Sequence, residues 1–465
     1  MKEFSYADTA IIVAMIIAYI LFTSWLTVKL RSKDSDQFMT AARSMPAIVV
    51  GILLMSEFIG AKSTVGTAES AFKYGMAASW SVIGAAIGYF LYAFFMAKRL
   101  YGSGEITISG AIAQKYGKST KYMVSLIMMY ALLLVNVGNY ISGAAALSTV
   151  LKVHLPTAML IIAVVSTFYF VFGGMKGVAW VTILHSFLKY VGIIIILGVA
   201  LTMTGGISPM MEKMPSYYFT WDGKIGATTI FAWIIGTVGA IFSTQFVIQA
   251  TSSSKNANEA RKSALYAAAF SLPLGILLAL IGVSAKFLFP DMKALYALPI
   301  FMQYMSPYLA GLVATSLVAS VFVSVSTVAL AIASLAVKDF YVPIYKPSPE
   351  KEFKVTKIIS VIIGFIPLIF VFFVPEILKL SFFTRAIRLS ISVVAMLAFY
   401  LPFFNSTRGA NLGMGIAAVA TSGWYMMGDP YGVDNMYIAL ITPAIVMVLD
   451  KLFGGGKNES KEVQA

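Results

Sequence analysis

Four charged residues, Glu57, Lys62, Lys189 and Arg388, sit well inside apolar stretches of this 465-residue chain, and Arg385 and Glu69 sit nearer the edge of one. Charge in a hydrocarbon setting is costly, so each is a functional candidate by default. Glu57, preceded by Ser56, could bind an amine, a cation or a proton; it could equally neutralise Lys62 or Lys189. Lys189 lies on one helical face with His185 and Thr182, at one-turn intervals. It sits about ten residues into its apolar run, or roughly 15 Å at helical rise, near a bilayer midplane. A lysine there can serve as a fixed cation or as a proton carrier; alternatively it pairs with Glu57 and fixes packing. Lys62 could line an outer vestibule or snorkel. Asn136, Asn139 and Tyr140 share another face, where a helix-packing role is the default. Lys62, Lys189, Arg385 and Arg388 together make the apolar interior cationic on balance. That favours an anionic or zwitterionic solute, a monocarboxylate or amino acid, held by charge-assisted hydrogen bonds, unless Arg388 is only an interfacial anchor.

The elements carrying these residues are membrane helices. The sequence is 59% hydrophobic and 12% charged, about half the charge of a soluble domain. Segments of about 20 apolar residues, the length that spans a bilayer, run roughly 7–30, 46–72, 77–98, 121–151, 156–173, 178–204, 226–250, 263–288, 305–338, 353–373, 376–404, 410–427 and 433–453. That predicts an all-α membrane protein of about 13 transmembrane helices. The short alternating segments of a β-barrel are missing. The first segment lacks a basic leader and a cleavage site and reads as a retained helix. Lys and Arg concentrate in alternate loops, as at Lys29, Arg31, Lys33 and Arg43, or Lys98, Arg99, Lys115, Lys118 and Lys121. By the positive-inside rule this puts the N-terminus outside and the C-terminus in the cytoplasm, in a multi-pass protein of the cell membrane. The net charge of +14 is then loop charge, and no nucleic-acid partner is expected. With no cysteine and two histidines, thiolate and histidine-rich metal sites are excluded. The loop Ser208–Lys224, with Tyr217, Tyr218, Phe219 and Trp221, reads as an interfacial aromatic belt, or as a lid. The stretch 454–465 reads as a polar cytoplasmic tail.

Six stretches, in order, resemble the sodium:solute symporter family over nearly the whole chain. They are DQFMTAARSMPAIVVG (Asp36–Gly51), leading into a helix that ends in Ile59-Gly60; FGGMKGVAW (Phe172–Trp180); TQFVIQATSSSKNANEAR (Thr244–Arg261); GLVATSLVASVFVSVSTVALAIASLAVKDFY (Gly311–Tyr341); Ile387-Arg388; and Arg408-Gly409-Ala410. The resemblance implies a leucine-transporter-like core of two inverted five-helix repeats plus peripheral helices. Residues 1–30 would be a peripheral N-terminal helix, 46–204 core helices 1–5, 226–404 core helices 6–10, and 410–453 two peripheral helices. Core helices 1 and 6 of such folds are broken near mid-membrane. Gly51 and Gly60 on the first, and Gly236 and Gly239 on the sixth, are the candidate break points.

The resemblance also implies a sodium site of backbone carbonyls on core helix 1, at Val50 and Leu53 without gaps, and of core helix 8 oxygens at Ser320 and Ser324, with Thr327 a turn away. Sodium would be the coupling ion, and no other cofactor is expected. This chain departs from the pattern twice. One of two usual hydroxyls is Val323, and a usual aspartate is Thr182. Lys189 adds a positive charge at that depth, so Thr182 and Lys189 join the cation-site candidates and protons become an alternative coupling ion. Solute candidates are Ser56, Glu57, Asn136, Asn139, Phe242, Thr244, Gln245 and Arg388. The aromatic residues that the family's sugar carriers place before this point are Ala240 and Ile241 here, which argues against sugar. The expected function is secondary active symport of a small organic solute by a monomeric unit in the lipid bilayer. A passive facilitator is the alternative. No channel filter and no His-Glu-x-x-His or Gly-x-Ser-x-Gly signature of an enzyme is present. A sensor would need a signalling domain, for which the tail leaves no room.

Overall fold

A computed structural model describes residues 4–151, 153–370 and 377–453; the polar stretch 454–465 lies outside them. The described residues are helical throughout, with one isolated bridge between Met45 and Ser254. The helices are α1 (Tyr6–Lys29), α2 (Ala47–Phe58), α3 (Ala61–Tyr74), α4 (Trp80–Phe95), α5 (Lys118–Leu151), α6 (Leu155–Thr204), α7 (Ala227–Ser243), α8 (Gln245–Ser252), α9 (Ala257–Leu288), α10 (Pro307–Leu335), α11 (Pro349–Phe365), α12 (Ile377–Tyr400), α13 (Thr407–Met426) and α14 (Asn435–Phe453), with shorter turns between.

Local chemistry sets their ends. Ser5 and Asp8 form a capping box on α1. Asn256 accepts from Glu259 N at the start of α9, and Ser306 and Ser348 cap α10 and α11 just ahead of a proline at the first helical position. Nine helices among the described residues are long and apolar enough to cross a bilayer, or up to eleven spans if each of two bent pairs is one. The count of about 13 from the sequence depends on two further decisions. It divides α6 and it includes α13. The 50 residues of α6 would reach roughly 75 Å if straight. They break at Gly174, whose φ of +56° is a left-handed value, and where a Cβ would meet Ser32 Oγ at 2.6 Å.

The centre of the molecule is α10. Its apolar window is wholly buried, whereas α1, α11 and α14 bury less than a third of theirs. It packs along α6 and α5, while α7 and α9 flank α4. Helices α2/α3 and α7/α8 are the bent pairs, at 49° and 48°. The first breaks at Ile59–Gly60, one of its two expected points, and not at Gly51, which lies inside unbroken α2. The second breaks at Thr244 (φ −66°, ψ 129°) and not at the glycines preceding it. Gly236 and Gly239 instead allow close approach of Met436 and Leu389.

Candidate functional site

A helix that stops inside a protein leaves carbonyls without partners, and each must be met. At the end of α2, Leu54 O accepts from Tyr89 Oη (2.8 Å) and Met55 O from Ile59 N (2.9 Å). Phe58 O accepts from Ser63 Oγ at 2.8 Å. The two others that have partners, Ser56 O and Ile59 O, are taken by Lys189. Its Nζ donates to Ser56 O (3.0 Å), Ser56 Oγ (2.8 Å) and Ile59 O (2.8 Å). An ammonium has three donors, and all three are used. Lys189 is buried, and no ion pair joins it to Glu57 among the described residues.

Ser324 of α10 faces the same break. A Cβ on Gly60 would overlap Ser324 Oγ. Ser324 donates to Ser320 O (2.9 Å) and Thr327 to Val323 O (2.8 Å). Ser320 Oγ is buried with no partner among the described residues. Thr182 donates to Val178 O at 2.6 Å. With His185, Val323 and Ser326 it lines a gap of about 10 Å³ between α6 and α10. Val50 and Leu53 lie one to two turns earlier, inside unbroken α2, in a stretch where Gly51 packs against Tyr266 and Ser263 of α9. The carbonyls that the break frees are thus those of Ser56 and Ile59, which sequence counting missed. The signal was there in Ile59-Gly60, because backbone bonding lapses at the pair.

On the other side of the break Glu57, Phe58, Lys62, Ser63, Val135, Asn139, Phe246, Arg385 and Arg388 line a cavity of about 20 Å³, room for a water or so. Glu57 Oε2 has no hydrogen-bond partner among the described residues, and Lys62 forms no ion pair there. Arg388 donates through Nε to Thr384 O (2.9 Å) and through Nη1 to Thr244 Oγ1 (2.8 Å). Arg385 is engaged otherwise. It donates to Thr237 Oγ1 (2.7 Å) and Ser81 O (3.2 Å) and lies over the rings of Phe58 (5.1 Å) and Phe382 (4.6 Å), a desolvated cation–π arrangement. Three cations therefore share this cavity with one carboxylate.

The other expected solute residues divide. Asn139 lines the cavity and its amide donates to Asn136 Oδ1 (3.2 Å), while Asn136 donates to Val325 O at 3.3 Å. Thr244 is the second break and the partner of Arg388. Phe242 faces away, into an apolar groove with Leu91, Leu389 and Tyr400. Gln245 points toward another segment, Ile106–Ile108. Above the cavity, Trp233 and Phe382 stack at 4.3 Å and form part of the wall of a vestibule of about 350 Å³ that also holds Lys73, Lys224, Lys379, Asp429 and Asp434. Among the described residues no group of three His, Asp or Glu side chains could hold a metal ion.

Two bent helices with their breaks facing a buried charged cavity define a carrier of the broken-helix kind. The pattern of the sodium:solute symporter family matches residues 38–417, and the chain belongs to that family. It is 23% identical to a sodium/glucose cotransporter of Vibrio parahaemolyticus over 71% of this chain and 67% of that protein. It is 22% identical to the high-affinity proline transporter PutP of Bacillus subtilis, over 69% of this chain and 72% of the relative. Among solved structures, the substrate-bound outward-open state of a Na+-coupled sialic acid symporter superposes with a TM-score of 0.80 at 18% identity, covering 95% of this chain and 97% of that one. The fold is thus the leucine-transporter type anticipated from the motifs, and the protein is a multi-pass membrane transporter rather than an enzyme.

Proposed function

We propose that this protein is a secondary transporter that moves a small anionic or zwitterionic organic solute by alternating access, and that the Lys189 ammonium stands where a coupling cation would otherwise sit. One observation carries the reading. The carbonyls freed by the first helix break, together with Ser56 Oγ, are already held by the three donors of Lys189. A sodium ion would have to displace them. Loss of the lysine's proton would leave two donors for three acceptors and loosen the break. Coupling is then protonic, or independent of sodium. A specific feature favours the family's usual ion instead, since Ser320 Oγ is buried without a partner beside Ser324 and could complete an oxygen cage.

The solute class rests on charge. Lys62, Arg385 and Arg388 outnumber Glu57 in the cavity, and the far end of the Arg388 fork points at no protein acceptor among the described residues. A carboxylate fits Arg388 and Lys62; an amine on the same solute would fit Glu57. The names of the relatives include carriers of proline and sialic acid, both carboxylates by their chemistry. The remaining parts of the reading are a monomeric transport unit, an inverted repeat over 46–204 and 226–404, and a cell-membrane topology with the N-terminus outside.

Uptake of candidate carboxylates and amino acids into proteoliposomes, in sodium-free buffer with an imposed pH gradient, tests the proposal. Accumulation above the external concentration is expected and would set a coupled carrier apart from a passive facilitator. Strict sodium dependence without proton movement sinks the Lys189 reading and leaves the sodium cage.

A further inference from the structure

The half-helix α8 begins at Gln245, directly after the second break, and runs toward the face that bears the basic loops. The Gln245 carboxamide is buried and grips one short piece of backbone at two points. Nε2 donates to Ile106 O (2.9 Å), and Oε1 accepts from Ile108 N (2.9 Å). One turn on, Gln249 Nε2 donates to Met39 O at 2.7 Å. Around and just past the end of α8, Met45 N donates to Ser253 O (2.9 Å), and the hydroxyls of Tyr92 and Tyr101 reach Thr251 Oγ1 and Ser254 O, each at 3.1 Å.

The receiving segment is anchored in turn. Thr107, Ser109 and Ser125 all donate to the fully buried Asp339 carboxylate in the helical turn just past α10, and Lys121 pairs with it at 3.2 Å. The segment Ile106–Ser109 is therefore tied through Asp339 to α5 and the end of the α10 run, whereas the other bonds of α8 run to Met39, Met45, Tyr92 and Tyr101, outside that group, so the Gln245 bonds join two separately anchored parts. Phe246, the residue after Gln245, is a wall of the charged cavity and faces Phe58 with ring centroids 6.4 Å apart. If α8 swings away from Ile106–Ile108, that wall goes with it.

We infer that Gln245, supported by Gln249, is the latch of the inner gate. Its two bonds to Ile106 and Ile108 hold α8 across the path from the charged cavity to the basic-loop face, and they must exchange for water when solute is released on that side. This assigns Gln245 a positioning role in gating rather than contact with solute. The inference rests on alternating access but not on the identity of the coupling ion.

The absence of cysteine makes the test direct. Val135→Cys places one thiol on the cavity wall, and its labelling by a membrane-impermeant maleimide is followed from each face separately in oriented vesicles. Gln245→Met keeps the length of the side chain and removes both bonds. It is expected to raise the labelling rate from the basic-loop face about thirtyfold, the effect of losing two bonds that together are worth roughly 2 kcal/mol at about 1.4 kcal/mol per tenfold, and to leave the other face unchanged or slower. Should Gln245→Met fail to fold, Ile108→Pro removes the N–H that Gln245 Oε1 accepts. Proline suits that first helical position, since Thr107 before it is extended (φ −122°, ψ 143°), and a smaller rise in the same direction is expected. Unchanged labelling in a folded variant, or faster labelling from the opposite face, overturns the latch. The readout is accessibility and not uptake, so a failure here is distinct from a failure of the proposed coupling.

Discussion

Lys189 meets the first helix break with three donors against three acceptors, and its substitution separates a structural role from a stand-in for a cation. Lys189→Met removes every donor and leaves Ser56 O and Ile59 O without those partners, so a loss of about 1–3 kcal/mol of stability for each unsatisfied acceptor is expected, read as a lower melting temperature in detergent. Lys189→Ala should also leave space among oxygens. Sodium chloride, compared with potassium chloride, is then expected to raise the melting temperature of Lys189→Ala and not that of the parent. No sodium response in a folded Lys189→Ala would defeat the idea that the lysine occupies a cation's place. The depth of Lys189 was legible in the sequence because a charge stands out in an apolar run. Its partners were not. The residue it bonds is Ser56, the neighbour of Glu57, since the attraction is to carbonyls that exist only where backbone bonding lapses. Gapless counting to Val50 and Leu53 lands in regular helix for the same reason.

Among the elements, the two broken pairs show what sequence can and cannot place. Ile59-Gly60 was readable as a break, and the structure supplies the reason: a side chain on Gly60 would overlap Ser324 of α10. Gly236 and Gly239 were read as break candidates but serve close approach between helices, which the same residue type does equally well. Thr244, the actual bend, carries no such signature; its hydroxyl donates to Ala240 O and accepts from Arg388 Nη1. Gly60→Ala is expected to destabilise the fold by about 1–3 kcal/mol through overpacking. Ser324→Gly, which removes both atoms that the new methyl would strike, should recover most of that loss. A double-mutant cycle on melting free energies checks this, and additive losses would show that the break does not depend on the α3–α10 contact.

For the molecule as a whole, apolar composition and motif order made the fold legible, whereas helix counting was limited by α6, whose single hydrogen-bonded run turns at Gly174. The proposed topology is open to a simple check. Single cysteines at Glu3 and Ser460, probed on intact cells with an impermeant reagent, should label at the first position only; the reverse pattern would invert the proposed orientation. One consequence of the paired breaks concerns polarity. Each first half-helix, α2 and α7, turns the negative end of its peptide dipoles toward the break, and each second half, α3 and α8, turns its positive end there. The protein's own cations attend both breaks: Lys189 on the α2 carbonyls and Arg388 beside Thr244. With the first negative pole answered by Lys189 and a guanidinium set at the second break, the field offered to an incoming solute is on balance positive, and on the proposed reading the carrier's preference for anions is written in its backbone as much as in its arginines.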